Sequence, residues 1–227
     1  MDVPRLVHEQ LVLLVLDSAK GTSISPYADR ALAGAVVLDL VQAGIGRVDG
    51  ETLTITAAPG GGILGEVAGV IAGESKPRTT RWWIEHLPGK FAPFLPRLAH
   101  PLVEERILSE EHKRILGLIP TTRFPERESA PATAVRERLH EVLLGRREPE
   151  LSDAMLASML DALDALRVVV AKGELRQARS RSKEMAANLP IAGATGQAVE
   201  SAQAAVAAAI VATTVAASVT TSTAATT

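Results

Sequence analysis

One stripe constrains the fold of this chain more than any other feature. Met155, Leu156, Met159, Leu160, Leu163, Leu166 and Val170 recur at i, i+3 and i+4 across residues 153–171. That spacing puts them on one face of a helix, and the face needs a second apolar surface to cover it. Aromatic residues make up only 3% of the chain, so the covering surface must be Leu, Val, Ile and Ala, which favours helix-on-helix packing. A chain of 227 residues buries roughly 70% of its unfolded surface and needs no staple. It has no cysteine, which excludes disulfides, thiolate zinc sites and cysteine nucleophiles. With 24 Lys+Arg against 26 Asp+Glu it carries a net charge of −2, no footprint for nucleic acid. The expectation is a mainly α protein: a single globular helical domain with one or two short β-hairpins.

The punctuation along the chain fills in the rest. Leu11 to Leu16 is apolar all round, as a fully buried helix or strand would be, and is too short to span a bilayer. Ser25-Pro26 reads as an N-cap with proline at the first helical position, opening a helix over 26–43 that stops at Gly44. Asp49-Gly50 between β-prone runs predicts a hairpin. Short helices are expected over 63–73 and over 81–87, the latter stopping at Pro88-Gly89. Prolines 93, 96 and 101 reduce 90–108 to short pieces or turns, and 107–119 reads as a second hairpin or a loop-flanked strand pair. The segment 120–131 is rich in proline and charge and reads as exposed. Helices follow over 132–144, over 153–171 with Ser152 as cap, and over 174–188. The uncharged stretch 201–227 reads as a last helix to about residue 217 and a flexible Ala/Thr-rich tail over 218–227. The domain therefore spans 1–217.

No catalytic or metal-ligating pattern is legible. The histidines at 8, 86, 100, 112 and 140 are scattered, and His8-Glu9 and His140-Glu141 each lack a second histidine four residues on. They read as surface or loop histidines. Pro59-Gly60-Gly61-Gly62 precedes a helix, but no G-K-[ST] follows, so it reads as a loop. Ser180-Arg181-Ser182-Lys183 fits S-x-x-K without the S-D-N or K-T-G that accompany it in penicillin-recognising enzymes. The basic residues of 97–147 are interleaved with glutamates, which reads as a solvated face, with an anionic membrane surface as the alternative. No metal, cofactor or nucleic acid is expected. The N-terminus shows neither a basic n-region nor a small-residue cleavage site, so the expected location is cytoplasmic. A composition rich in Ala and Arg and poor in Lys points to a GC-rich bacterial genome.

Several runs, in order and spacing, resemble the Golgi phosphoprotein 3 family. They are Leu11-Val12-Leu13-Leu14-Val15-Leu16-Asp17 with Gly21, then Ala31-Leu32-Ala33-Gly34-Ala35-Val36-Val37-Leu38-Asp39-Leu40 to Gly44 and Arg47. Ala58-Pro59 with Gly61, Trp83-Ile84-Glu85-His86-Leu87, and Arg97-Leu98 to Leu108 continue the match to about residue 215. The chain looks like a bacterial, actinobacterial-type member. The resemblance implies a mostly helical, non-catalytic domain that docks on membranes. Golgi members bind phosphatidylinositol 4-phosphate and capture cytoplasmic tails of glycosyltransferases. A projecting apolar hairpin serves membrane insertion or self-association, and here its position is held by Ile107, Leu108, Ile115, Leu116, Leu118 and Ile119.

The resemblance also implies where a phosphoinositide would bind. The family's tryptophan falls near Ile24, and its three arginines fall on Ala33, Ala92 and Leu95. Charge-assisted donors to phosphate are worth about 1.5–3 kcal/mol each, so their loss should abolish recognition of the monophosphate. Tyr27, Arg30 and Arg97 are the candidate lipid- or anion-binding substitutes. Two readings stand. One is a peripheral membrane adaptor with a degenerate phosphoinositide pocket, at the inner face of the membrane. The other is a cytoplasmic small-molecule-binding or scaffold protein that oligomerises through its apolar hairpin without lipid.

Overall fold

In a computed structural model of the chain, the structure describes residues 6–58, 60–115 and 118–188. The helix expected from about 197 and the tail at 218–227 lie outside these residues. Two helices make the centre: α1 (Val7–Val15) and α2 (Ala28–Gln42). Every residue from Leu11 to Leu16 is buried, and so is every residue of α2 from Ala31 to Val41. A helix buried on all sides has no polar stripe, which is why these runs are apolar all round but for Asp39. α2 ends where Gly44 takes φ +70° and Ile45 N–H donates to the Leu40 carbonyl at 2.9 Å, closing the helix with a glycine that tolerates the left-handed turn. Its start differs from the expectation. The Ser25 hydroxyl accepts from Tyr27 N–H at 3.3 Å, so Ser25-Pro26 forms a turn and the helix begins at Ala28.

The hairpin at Asp49-Gly50 forms as β1 (Gly46–Asp49) and β2 (Thr52–Ile55), paired antiparallel from Gly46↔Ile55 to Asp49↔Thr52. Around the central pair lie α3 (Gly62–Ala72), α4 (Thr80–Lys90) and α5 (Phe94–Glu104). Proline is less disruptive here than expected. Pro88 sits in the last turn of α4, where little helix remains to break, and Phe91 N–H still donates to Leu87 at 3.0 Å. Pro96 lies in the first turn of α5, where no intrahelical N–H is needed. Residues 94–104 are thus one helix, with Phe94, Leu98 and Leu102 buried.

The second hairpin sits four residues later than expected: β3 (Glu111–Ile115) pairs antiparallel with β4 (Ile119–Arg123). The segment 120–131 is not uniformly exposed, because Phe124 is core. On the far side lie α6 (Ala130–Leu143), α7 (Leu151–Ala162) and α8 (Leu175–Asn188). The expected long helix over 153–171 is broken. Its cap is Glu150, in a reciprocal capping box with Asp153, and it ends at Leu163 before Asp164 turns to φ +53°. Two short 3-10 turns follow, and Leu166 and Val170 still reach the core from them. The stripe survives because the chain keeps its apolar side inward through the break. The mainly α single domain with two hairpins agrees with the expectation.

Candidate functional site

Two features stand at one end of the molecule. The first is the β3–β4 hairpin. Leu118 at its tip is 84% exposed, and only one other large apolar residue is classed as exposed among the described residues, Ile24 at 40%. Arg114 on β3 is exposed, and Lys113 beside it pairs with Glu111 at 2.6 Å. Leu116 and the side chains of Ile115 and Ile119 lie outside what the structure describes. Ile107 and Leu108 are not part of the exposed contact. They are 2% and 1% exposed, turned into the core before β3 begins. Their backbone N–H groups both donate to the Leu102 carbonyl at the end of α5, at 2.9 and 3.0 Å, which fixes them inward.

The second feature is a cleft of about 330 Å³ at the base of this hairpin, between the N-termini of α2 and α5. Thr121 and Thr122 come from β4, the Thr122 hydroxyl bonded to His112 Nδ1 at 3.4 Å, while Thr22, Ser23 and Ser25 come from the loop before α2. Gly21 starts that loop at φ +64°, packed so closely on Phe124 and Pro125 that a Cβ would collide with their backbone. Asp29 is the only charged lining residue. Burial pushes the Asp29 carboxyl above its ordinary range, against the opposing pull of the Leu95 N–H.

Of the three residues expected to hold an anion, Tyr27 and Arg30 lie together at the start of α2 and Arg97 lies on α5. Tyr27 is the N-cap of α2 and packs half-buried on the core. Arg30 is half-buried in the first turn of α2. Arg97 pairs with Glu66 of α3 at 2.9 Å, and its guanidinium sits 5.3 Å from the Phe91 ring centroid. None of the three lines the cleft. At the positions where the resemblance places arginines, Ala33 is fully buried, Leu95 is 9% exposed, and Ala92 is exposed.

The sequence missed two things here. Asp29 carried no signal, since one acidic residue in the first turn of a helix is ordinary. His8 is no surface histidine either. It is 1% exposed, and its Nδ1 donates to Asp39 Oδ2 at 2.7 Å. Among the described residues no group of three or more His, Asp or Glu is placed to hold a metal ion. Gly62 takes φ +67° as α3 opens, consistent with a loop. A second, wider cleft of about 580 Å³ involves Arg136, His140 and Glu141. Its charges are paired internally, Arg136 with Glu126 at 2.5 Å and His140 with Glu174 at 3.4 Å.

Fold and site together define a class: a mainly α single domain that presents a hairpin with an exposed apolar tip and, at its base, a small hydroxyl-lined cleft. The chain belongs to the Golgi phosphoprotein 3 (GPP34) family, whose family model matches residues 7–215. No curated protein matches it. Among the described residues no helix is long and apolar enough to cross a membrane.

Proposed function

We propose that this chain is a non-catalytic, cytoplasmic adaptor of the GPP34 type, which docks on an anionic membrane surface through the β3–β4 hairpin. The observation that carries the reading is Leu118, 84% exposed at the hairpin tip. Leaving a leucine in water forgoes about 1.5–3 kcal/mol of burial, so an exposed tip residue suits a surface that can cover it. Arg114 on the same hairpin supplies positive charge, and a basic residue near an anionic leaflet contributes ~1 kcal/mol. Together they suit shallow, salt-sensitive docking at the inner face of a bacterial membrane.

The same reading holds that the phosphoinositide pocket is degenerate. A phosphate placed in the cleft would face the Asp29 carboxylate with no cationic side chain lining the walls. The test is a pair of variants in vesicle co-sedimentation. Leu118→Asp should remove binding to anionic vesicles, and Thr54→Asp, on the other hairpin, should leave it intact. If Leu118→Asp sediments like the parent, the docking surface is elsewhere. If it instead changes only the oligomeric state in solution, the hairpin serves self-association.

A further inference from the structure

We propose that docking of the β3–β4 hairpin strengthens at acid pH, through protonation of two histidines, His100 and His112, that share one carboxylate at the root of the hairpin. The inference rests on the membrane-docking reading above and adds a regulation to it.

The cluster joins the hairpin to α5. His100 stands on α5, Glu110 just before β3, and His112 on β3. Each carboxylate oxygen of Glu110 faces one imidazole: Oε2 lies 3.5 Å from His100 Nδ1, and Oε1 lies 3.6 Å from His112 Nε2. These distances are long for hydrogen bonds and within reach of ion pairs. Both histidines are exposed and Glu110 is half-buried. The three do not gather as metal ligands do. Histidine is the side chain whose charge changes between pH 5 and 8, so protonation of both rings turns the cluster from one negative charge to one positive.

The surroundings admit the charged rings. His112 Nδ1 lies 3.4 Å from the Thr122 hydroxyl across the strand pair, and a hydroxyl can donate to a neutral ring or turn to accept from a charged one. Two residues along the same face of β3, Arg114 opposes a charge on His112, while Glu110 favours it. Glu111 and Lys113 alternate to the other face, where they pair with each other, and Arg123 lies opposite Glu111. Asp29 of α2 shares the neighbouring cleft with Thr122. On α5, Glu104 lies one turn beyond His100, and Arg97, one turn before it, pairs with Glu66. Glu9 of α1 interacts with Glu105, past the end of α5. His100 also packs T-shaped against Phe124, with ring centroids 6.3 Å apart. Around Phe124, Asp17 accepts from the N–H groups of Ala19 and Lys20, Lys20 is exposed, and Glu126 pairs with Arg136.

Position converts this charge into docking. The His112↔Thr122 pair lies three residues from the last pair of the hairpin, Ile115↔Ile119, roughly 10 Å along a strand. With Leu118 at the acyl boundary, the cluster sits at the outer edge of a headgroup layer about 5–8 Å deep, within a Debye length of about 8 Å from the charged surface. Glu110 and Glu111 against Lys113, Arg114 and Arg123 leave residues 110–123 with one positive charge in excess when histidine is neutral. The two imidazolium groups bring hairpin and root to three. A basic charge near an anionic leaflet raises affinity about fivefold.

Co-sedimentation of the full chain with phosphatidylcholine/phosphatidylglycerol vesicles at pH 7.5 and pH 5.5, at fixed ionic strength, tests the proposal. The parent should bind about tenfold tighter at the lower pH, somewhat less than two fully effective charges would give. The double variant His100→Gln/His112→Gln should match the parent at pH 7.5, which also shows that it folds, and should lose most of the gain. His86→Gln, an exposed histidine on α4, should keep the gain. In the parent, the ring signals of His100 and His112 in nuclear magnetic resonance should change over the same pH range as the binding. Equal binding of the parent at both pH values overturns the proposal and leaves the docking reading standing. A gain that the double variant retains, or ring signals that stay constant while binding rises, also overturns it and assigns the gain to other groups. Binding at neither pH overturns both readings.

Discussion

Asp39 gives the sharpest test of how the core is held together. It sits at 1% exposure inside α2 and accepts three hydrogen bonds from the start of α1: Val7 N–H at 2.8 Å, His8 N–H at 2.9 Å and His8 Nδ1 at 2.7 Å. It is an N-terminal cap supplied from another helix, since Leu6, the N-cap of α1, offers no side-chain bond. Asp39→Ala leaves three donors buried without partners. Each unsatisfied donor costs about 1–3 kcal/mol, partial relaxation recovers some of it, and breaking a buried charged pair costs about 3–5 kcal/mol. The expected loss is therefore about 4 kcal/mol. With a urea m-value of about 2 kcal/mol/M this lowers the unfolding midpoint by roughly 2 M, with m unchanged. Asp39→Asn keeps one acceptor oxygen and should lose about half as much. Equilibrium urea denaturation followed by circular dichroism reads both variants. A loss below about 1 kcal/mol for Asp39→Ala would refute the reasoning, because the three donors would then have found other partners.

Three further outcomes follow from the same structure. Gly21→Ala should cost about 3 kcal/mol, because its Cβ meets the Phe124 and Pro125 backbone at a positive φ, whereas Gly50→Ala, with open space around it, should cost ~1 kcal/mol. Thermal denaturation of the two variants compares them, and equal shifts would contradict the packing at Gly21. Breaking Arg138 from Asp153, bonded at 2.7 Å with Asp153 fully buried, should destabilise by about 3–5 kcal/mol in Arg138→Ala, measured by the same urea titration. Burial pushes the Glu9 carboxyl above its ordinary value of 4.5, so the folded state holds that proton more tightly than the unfolded chain does. Its contribution is present below pH 4.5 and lost as pH rises through the raised value. Glu9→Gln should match the parent at low pH and exceed it above that window; a variant less stable at neutral pH would reverse the sign.

The parts of this molecule that were legible in the sequence are those set by local pattern. Leu11–Leu16 is apolar on all sides and Ala31–Val41 is apolar but for Asp39, and the two form the buried centre. Gly44 and Asp49-Gly50 carry their stops and turns in the residue type itself. The misreadings come from tertiary compensation. Pro96 and Pro101 were expected to break α5, but the helix is held by Phe94, Leu98 and Leu102 in the core. The helix after Ser152 was expected to run to 171, yet Asp164 takes a left-handed φ and the following chain still delivers Leu166 inward. Ile107 and Leu108 read as hairpin because apolar character alone does not tell a core residue from a docking residue. The cleft was invisible for a different reason: its hydroxyls and Asp29 come from the loop before α2, from α2 and from β4, and no spacing along the chain brings them together.

The central claim is that this protein docks through its hairpin and has no use for a phosphoinositide monophosphate. Co-sedimentation of the full chain with anionic vesicles, with and without phosphatidylinositol 4-phosphate and at low and high salt, tests it most directly. The account predicts binding that weakens as salt screens Arg114, and that is unchanged by the phosphoinositide. A clear gain with phosphatidylinositol 4-phosphate would contradict it, by showing that donors such as Arg30 rebuild the pocket.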